Sequence, residues 1–414
     1  MIGREEVKNS QRERVKSFLR AIFKSYYSNT SIDGPMEIER REFAFLTFDE
    51  IMKRHISFRD RDEMNSFLAR EGPMHSYYST AYYLYPWESE MERKGWLKAE
   101  VVFDIDADHL ELECKYHHDS KTCKECGREN PYSAERCTCG SKSLVEKVRI
   151  CDNCLNKAKE ETIKLIEEFL LNDFGIEKRE IEVYFSGRRG YHVHVIKEEL
   201  MSLGSEERRE IVDYITARGL NPKYHGLRVE NNVLVGPKAS DPGWSGRISR
   251  LVWKFLKNSK EEDLKKILGK KRFEILLKLR ESGRIDRILD GFWDLFTGLS
   301  IDKWCEIVRT GGIKLAGKTD EPVTTDVKRL IRLPESLHGG TGFRVVRVED
   351  LDKFDPLKDA LAFQGETEVY VKGRVSEFRI GEEIFGPYED VEVELPTSAA
   401  VFLLARGDAV LPRF

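Results

Sequence analysis

No stretch of this 414-residue chain approaches the ~18 consecutive apolar residues of a membrane-crossing helix. The opening Met1-Ile2-Gly3-Arg4 lacks a secretory-leader pattern. Both absences set the expectation of an intracellular, cytoplasmic protein with no membrane partner. There is no internal repeat, no low-complexity tract and no iron–sulfur motif. A dominant charge is missing too. The 69 Lys and Arg face 73 Asp and Glu, for a net charge of −4. That balance neither demands nor excludes a nucleic-acid partner, because local patches decide. Cysteine is scarce outside one segment, since seven of the eight lie from Cys114 to Cys154 and Cys305 stands alone. Clustering of this kind argues against a disulfide framework and for a metal site.

What is there describes a globular chain. The content is 40% hydrophobic and 34% charged, and the 414 residues are enough for two or three domains. Apolar spacing predicts helices over 4–28, 155–174 (with Gly175 as the stop) and 206–215. Alternation predicts strands over 40–45 and 80–85 and a hairpin of 181–185 with 191–196. Residues 221–245 read as irregular, 246–300 as a charged helical subdomain, and 323–333 as β-like. Past about 360 the pattern becomes short strands and one short helix, a small β-rich C-terminal domain over 360–414. The expected fold class is α+β: a main unit over 1–359 that contains the cysteine segment, at 112–156, and the helical subdomain at about 246–300.

The chain is organised around Val101-Val102-Phe103-Asp104-Ile105-Asp106. Residues two apart on a strand share a face, so Asp104 and Asp106 point together, with Cα atoms roughly 7 Å apart. Paired carboxylates on a rigid strand suit Mg²⁺ or Mn²⁺, which take hard oxygen ligands. The plainer alternative is a solvated strand end.

In the cysteine segment, Cys123 and Cys126 form a CxxCG knuckle and Cys137 and Cys139 a CxCG knuckle. Gly-terminated knuckles present thiolates to tetrahedral Zn²⁺. This half resembles a zinc ribbon with one residue fewer in its second knuckle. Cys114, Cys151 and Cys154, with His117 or His118, complete a second set of four. The alternative joins Cys114, the histidine, Cys123 and Cys126, and leaves the other four cysteines together. The first pairing is preferred because the two knuckles read as one inserted unit. Complete sets leave no position for a reacting water, so one or two structural zincs are expected.

Ser186-Gly187-Arg188-Arg189-Gly190-Tyr191-His192-Val193-His194 sets two guanidiniums on a turn between glycines, a suitable phosphate-binding device. His192 and His194 share one face of the strand that follows. Alone, the arginines could be an ordinary exposed turn and the histidines a packed polar face.

The aspartate strand, the cysteine segment, the Ser186–His194 run and Asp326-Val327-Lys328-Arg329-Leu330-Ile331-Arg332-Leu333-Pro334-Glu335-Ser336-Leu337-His338 occur in that order. Together they resemble the catalytic small subunit of archaeal and eukaryotic DNA primase, archaeal type, over about residues 35–360. The resemblance implies a mixed α/β core with a modified RRM-like sheet, and de novo synthesis of short primers on single-stranded DNA for replication. It implies Asp104, Asp106 and Asp326 as ligands of two Mg²⁺ or Mn²⁺ ions. Ser186, Arg188, Arg189 and His192 would bind triphosphate, and Arg332 and His338 would be further phosphate ligands. Glu42 and Arg54 match the family's early strand and the basic residue after it. His117 is carried as the histidine zinc ligand beside Cys114, Cys151 and Cys154. NTPs or dNTPs are the implied substrates, a large primase subunit the implied partner, and the nucleoid the implied place of work. Residues 393–407 resemble the small β-rich domain of the GINS replication complex, which points to docking on other replication-fork proteins. Two alternatives stay open: a primase-polymerase-type repair or translesion polymerase, and a zinc-dependent nucleic-acid-binding module without catalysis.

Overall fold

Val101, Val102, Phe103 and Ile105 are all buried, so the strand Val101–Asp106 needs cover on both faces and along its free edge. It is the outer member of a four-stranded antiparallel sheet in the order Val346–Arg347, Ile181–Phe185, Gly190–Val195, Val101–Asp106. The unpaired edge is protected rather than open, as edge strands generally are. The Arg208 guanidinium donates to the carbonyls of Ala99 and Glu100 at 2.7 and 2.9 Å. Farther along, the Asp320 N–H donates to the Asp104 carbonyl at 2.9 Å. A second four-stranded antiparallel sheet runs Leu330–Arg332, His75–Ser79, Phe43–Leu46, Met52–Ile56. Phe43 and Phe45 on this sheet pack with Phe58 and Phe67.

This computed structural model describes residues 2–296 and 299–412. Residues 297–298 and 413–414, which fall in the expected helical and C-terminal spans, lie outside the described residues. The chain divides into two compact units. One comprises Met1–Ile163, Arg179–Arg208 and Thr319–Phe414 and carries both four-stranded sheets. It also holds a three-stranded sheet in the cysteine segment (Glu129–Pro131, Ser120–Cys123, Leu144–Lys147). Its C-terminal part is a three-stranded sheet (Tyr388–Pro396, Glu366–Val375, Ala409–Val410) with the helix Thr397–Arg406. The other unit, Lys164–Lys178 and Arg209–Lys318, is built on the helices Gly243–Asn258, Glu261–Leu268, Lys270–Glu281 and Ile301–Leu315. Its core gathers Ile248, Leu256, Leu264, Phe273, Trp293 and Trp304, and Cys305 is buried there as a core residue.

The α+β class holds, with three local differences. Residues 221–245 contain a hairpin, Arg228–Glu230 with Val233–Val235. Its turn is Asn231-Asn232, both at positive φ (50° and 61°), a conformation asparagine tolerates and two-residue hairpins favour. Of the span 323–333 only Leu330–Arg332 is strand. Glu321–Thr325 is a helical turn, because Pro322 presets the first turn of a helix. The helix expected over 155–174 begins at Asp152 as an α-helix and widens to a π-turn over Leu165–Leu171. No helix among the described residues is long and apolar enough to cross a membrane.

Candidate active site

Antiparallel register brings the two central motifs together. His192 lies opposite Asp104, and Gly190 opposite Asp106. A side chain at position 190 would meet the Ile105 carbonyl at 2.6 Å and the Asp106 Cα at 2.9 Å, so glycine lets the hairpin close on the aspartate strand. Gly187 has φ +82°, and a Cβ there would sit 2.8 Å from the His338 Cβ. The Gly187 carbonyl accepts from the Thr341 hydroxyl at 2.6 Å. The loop after Leu330–Arg332 thus packs directly on the arginine turn.

The carboxylates of Asp104 and Asp106 are half-buried and act on one another electrostatically. Burial, then Asp106 and Asp320, push Asp104 up to about 7, against the pull of Arg329 and Arg332. Burial and Asp108 raise Asp106. A group of acids that resists losing its protons offers a strong site for a divalent cation, because the ion removes both the burial cost and the repulsion. The third acid of this group is Asp320, not the expected Asp326. Asp320 is half-buried, opens the turn Glu321–Thr325 and makes no side-chain capping bond there. Asp326 is exposed, accepts from the Lys328 N–H at 2.9 Å, and acts electrostatically on Tyr83 and Arg208. The sequence signal for Asp320 was an aspartate two residues before Pro322, a helix-opening pattern.

Cationic and imidazole groups converge on this acid cluster. His192 Nε2 is 3.8 Å from Asp104, and burial, followed by His194, Arg332 and Arg329, holds its ring far below the ordinary histidine range. Among the described residues, His192 Nδ1 and the Ser186 hydroxyl are buried without a hydrogen-bond partner. Buried polar atoms are rarely left unmatched, so both are suited to a ligand. Arg332 donates to His75 Nδ1 at 2.5 Å and lies over the Tyr77 ring. His338 stacks edge-on against His75, with ring centroids 4.8 Å apart. Burial lowers His338 well below the usual value, helped by Arg332, His75 and Arg188. His75, absent from the sequence-based set, orders this corner, since its Nδ1 also accepts from the Gly339 N–H at 3.1 Å. His194 turns away to Glu100, with Nδ1 to Oε2 at 2.7 Å.

Three residues expected at the nucleotide site, Arg189, Glu42 and Arg54, are engaged otherwise. Arg189 is buried and turned inward, onto Asp108 and Asp119. Glu42 is buried and receives Arg54 at 3.0 Å, the His55 N–H at 3.3 Å and Lys94 at 3.2 Å. Glu42 and Arg54 are thereby paired with each other.

The cysteine segment forms two groups, each with its donor atoms within 4.8 Å of one another. Cys123, Cys126, Cys137 and Cys139 are one, and Cys114, His118, Cys151 and Cys154 the other, the preferred pairing. Both can hold a metal ion. Of the two histidines it is His118 whose Nε2 reaches Cys154, at 3.2 Å. His117, carried as the ligand, is exposed on the short helix Lys115–His118.

The family model described as DNA primase small subunit matches residues 140–350. The DNA primase small subunit PriS of Methanothrix thermoacetophila is 39% identical, over 96% of this chain and 98% of its own. That extent decides the family. The chain belongs to the DNA primase small subunits. The primase small subunit PriS of Archaeoglobus fulgidus is 38% identical over 95% of this chain and 98% of its own, and that of Nitrosopumilus maritimus 33% over the same shares. As a primase small subunit the chain is a nucleotidyltransferase.

Proposed function

We propose that this primase subunit starts short primers de novo on single-stranded DNA, using Asp104, Asp106 and Asp320 to hold two Mg²⁺ or Mn²⁺ ions. The observation that carries the reading is the half-buried group of mutually repelling acids, with Asp104 raised to about 7 and Arg332 acting on it, and Arg188 acting on Asp106. When bound, the ions supply Lewis acidity and neutralise charge on the attacking and leaving oxygens. The side chains do the rest. The strand holds the carboxylates in fixed register. Arg188 and Arg332 supply positive charge to a nucleotide's β- and γ-phosphates. The Ser186 hydroxyl and the His192 and His338 rings offer neutral polar atoms that cost no charge burial.

The two thiolate groups hold structural Zn²⁺ in this reading, since each offers four donors and no open position. NTPs and dNTPs are the substrates, a large primase subunit completes a heterodimer, and the complex works in the cytoplasm at the nucleoid. Residues 360–414 serve as a module that docks other replication-fork proteins. The test is template-dependent synthesis by the chain with its large subunit, with and without a primer, for both nucleotide types. De novo products that vanish with Asp104→Asn support the reading. Extension of primers with no chain starts favours a primase-polymerase-type repair or translesion enzyme. Synthesis that survives Asp104→Asn removes the carboxylates from the mechanism.

A further inference from the structure

Arg189 is the side chain whose surroundings match its expected role least. It stands beside Arg188 on the turn, yet its side chain is only 2% exposed and that of its acceptor Asp119 1%. A guanidinium this deep is tolerated only when its donors are matched. Its Nε donates to Asp108 Oδ1 at 2.5 Å. Both terminal nitrogens donate to Asp119 Oδ2 at 3.2 Å. One of them also donates to the Arg149 carbonyl at 3.0 Å and approaches the Cys154 sulfur at 3.8 Å.

Each acceptor leads somewhere else in the site. The other oxygen of Asp119 meets His118 Nδ1 at 2.7 Å, while the far nitrogen of that ring faces the thiol of Cys154. Carboxylates in this position behind a ligating histidine fix its ring and tautomer. On the opposite side, Asp108 Oδ2 accepts from Arg188 at 2.7 Å. The Asp108 N–H donates to Asp106 Oδ1 at 2.8 Å, and the Arg189 carbonyl accepts from the Ala107 N–H at 3.2 Å. A continuous line therefore runs from His118 through Asp119, Arg189 and Asp108 to Arg188, and Asp108 touches a metal-site carboxylate on the way.

We infer that Arg189 is a positioning residue: it ties the Cys114–His118–Cys151–Cys154 group to Asp108 and so aims Arg188 at the nucleotide. Arg188 keeps 34% of its side chain exposed and Asp108 29%, so without a fixed Asp108 the Arg188 fork would sample many positions. Arg189 fixes Asp108 with a rigid planar group anchored at a buried carboxylate. Lysine carries the same charge but offers no fork, and so cannot hold both aspartates in one geometry. The thiolate group becomes the foundation of the triphosphate-binding turn as well as a local staple.

The inference rests on the proposed triphosphate role of Arg188, and a double-mutant cycle separates the two. The full-length chain is titrated with a fluorescent ATP analogue in Mg²⁺, and metal content per chain is measured alongside. Arg188→Ala weakens binding, and Arg189→Lys weakens it about tenfold, in the range for outer-layer partners of a metal site, with kcat for primer extension changed far less than KM. In the Arg188→Ala background Arg189→Lys adds little, because its effect passes through Arg188. Asp108→Asn, a second route to the same link, behaves as Arg189→Lys does and keeps the metal content of the parent chain. Additive losses, or unchanged affinity in both Arg189→Lys and Asp108→Asn, overturn the positioning role. If Arg188→Ala itself leaves affinity unchanged, the triphosphate assignment fails and the relay with it.

Discussion

Asp104→Asn is expected to abolish nucleotide incorporation and, at the same time, to make the Mg²⁺- and Mn²⁺-free protein more stable. The stability gain follows from how the aspartate is held. Burial, Asp106 and Asp320 raise Asp104 from an ordinary 3.8 to about 7. An unfolded chain releases that proton near 3.8, while the native state keeps it to about pH 7. Native stability therefore falls as pH rises through this interval and is level above it. The full interval corresponds to about 4 kcal/mol at pH 8, and the part reached at pH 5 to about 1.5 kcal/mol. With 21% of the side chain exposed, relaxation and solvent keep these figures as upper bounds. Asparagine resembles the protonated acid at every pH, so the variant's advantage is small at pH 5 and large at pH 8. The assay is urea unfolding followed by hydrogen exchange in the peptide that holds Val101–Asp106, without chelators that would strip the thiolate groups. Millimolar Mn²⁺ stabilises the parent chain and has little effect on the variant. An equal gain at both pH values, or none at pH 8, refutes the account of burial and repulsion.

Three further outcomes are expected. Asp320→Asn lowers single-nucleotide incorporation by a hundredfold or more, the scale of a lost metal ligand, whereas Asp326→Asn stays within a few-fold. The reverse order in that assay returns Asp326 to the site. His75, held down to about 3 by burial and Arg332, stays neutral in the native state while an unfolded histidine takes a proton below about 6.5. Stability is thus lost on acidification, by about 2 kcal/mol at pH 5, and a His75→Asn chain shows a shallower acid limb in urea titrations at pH 7 and pH 5. Cys154→Ser and Cys137→Ser each remove one bound metal per chain, measured by elemental analysis. The first also weakens nucleotide binding and the second does not, since only the first group contacts Arg189.

The aspartate strand, the arginine turn and the cysteine pairing were legible because each is local. A strand's two-residue period sets Asp104 beside Asp106. Glycines at 187 and 190 announce a tight turn, and close spacing keeps the two knuckles together. By itself the sequence determined the α+β class, the family resemblance and which stretches carry chemistry. It could not assign partners across long separations. Asp320 and Asp326 are both acids in one short segment, and only the pairing of the Asp320 N–H with the Asp104 carbonyl tells which of them faces the strand. Arg188 and Arg189 are adjacent and chemically identical. On a turn, neighbouring side chains leave in different directions, and the depth of Asp119 decides which one is drawn inward. His117 and His118 differ in the same way, by the face of one helical turn. Motif chemistry was local and therefore readable; the direction in which each side chain points was settled by packing against residues tens or hundreds of positions away.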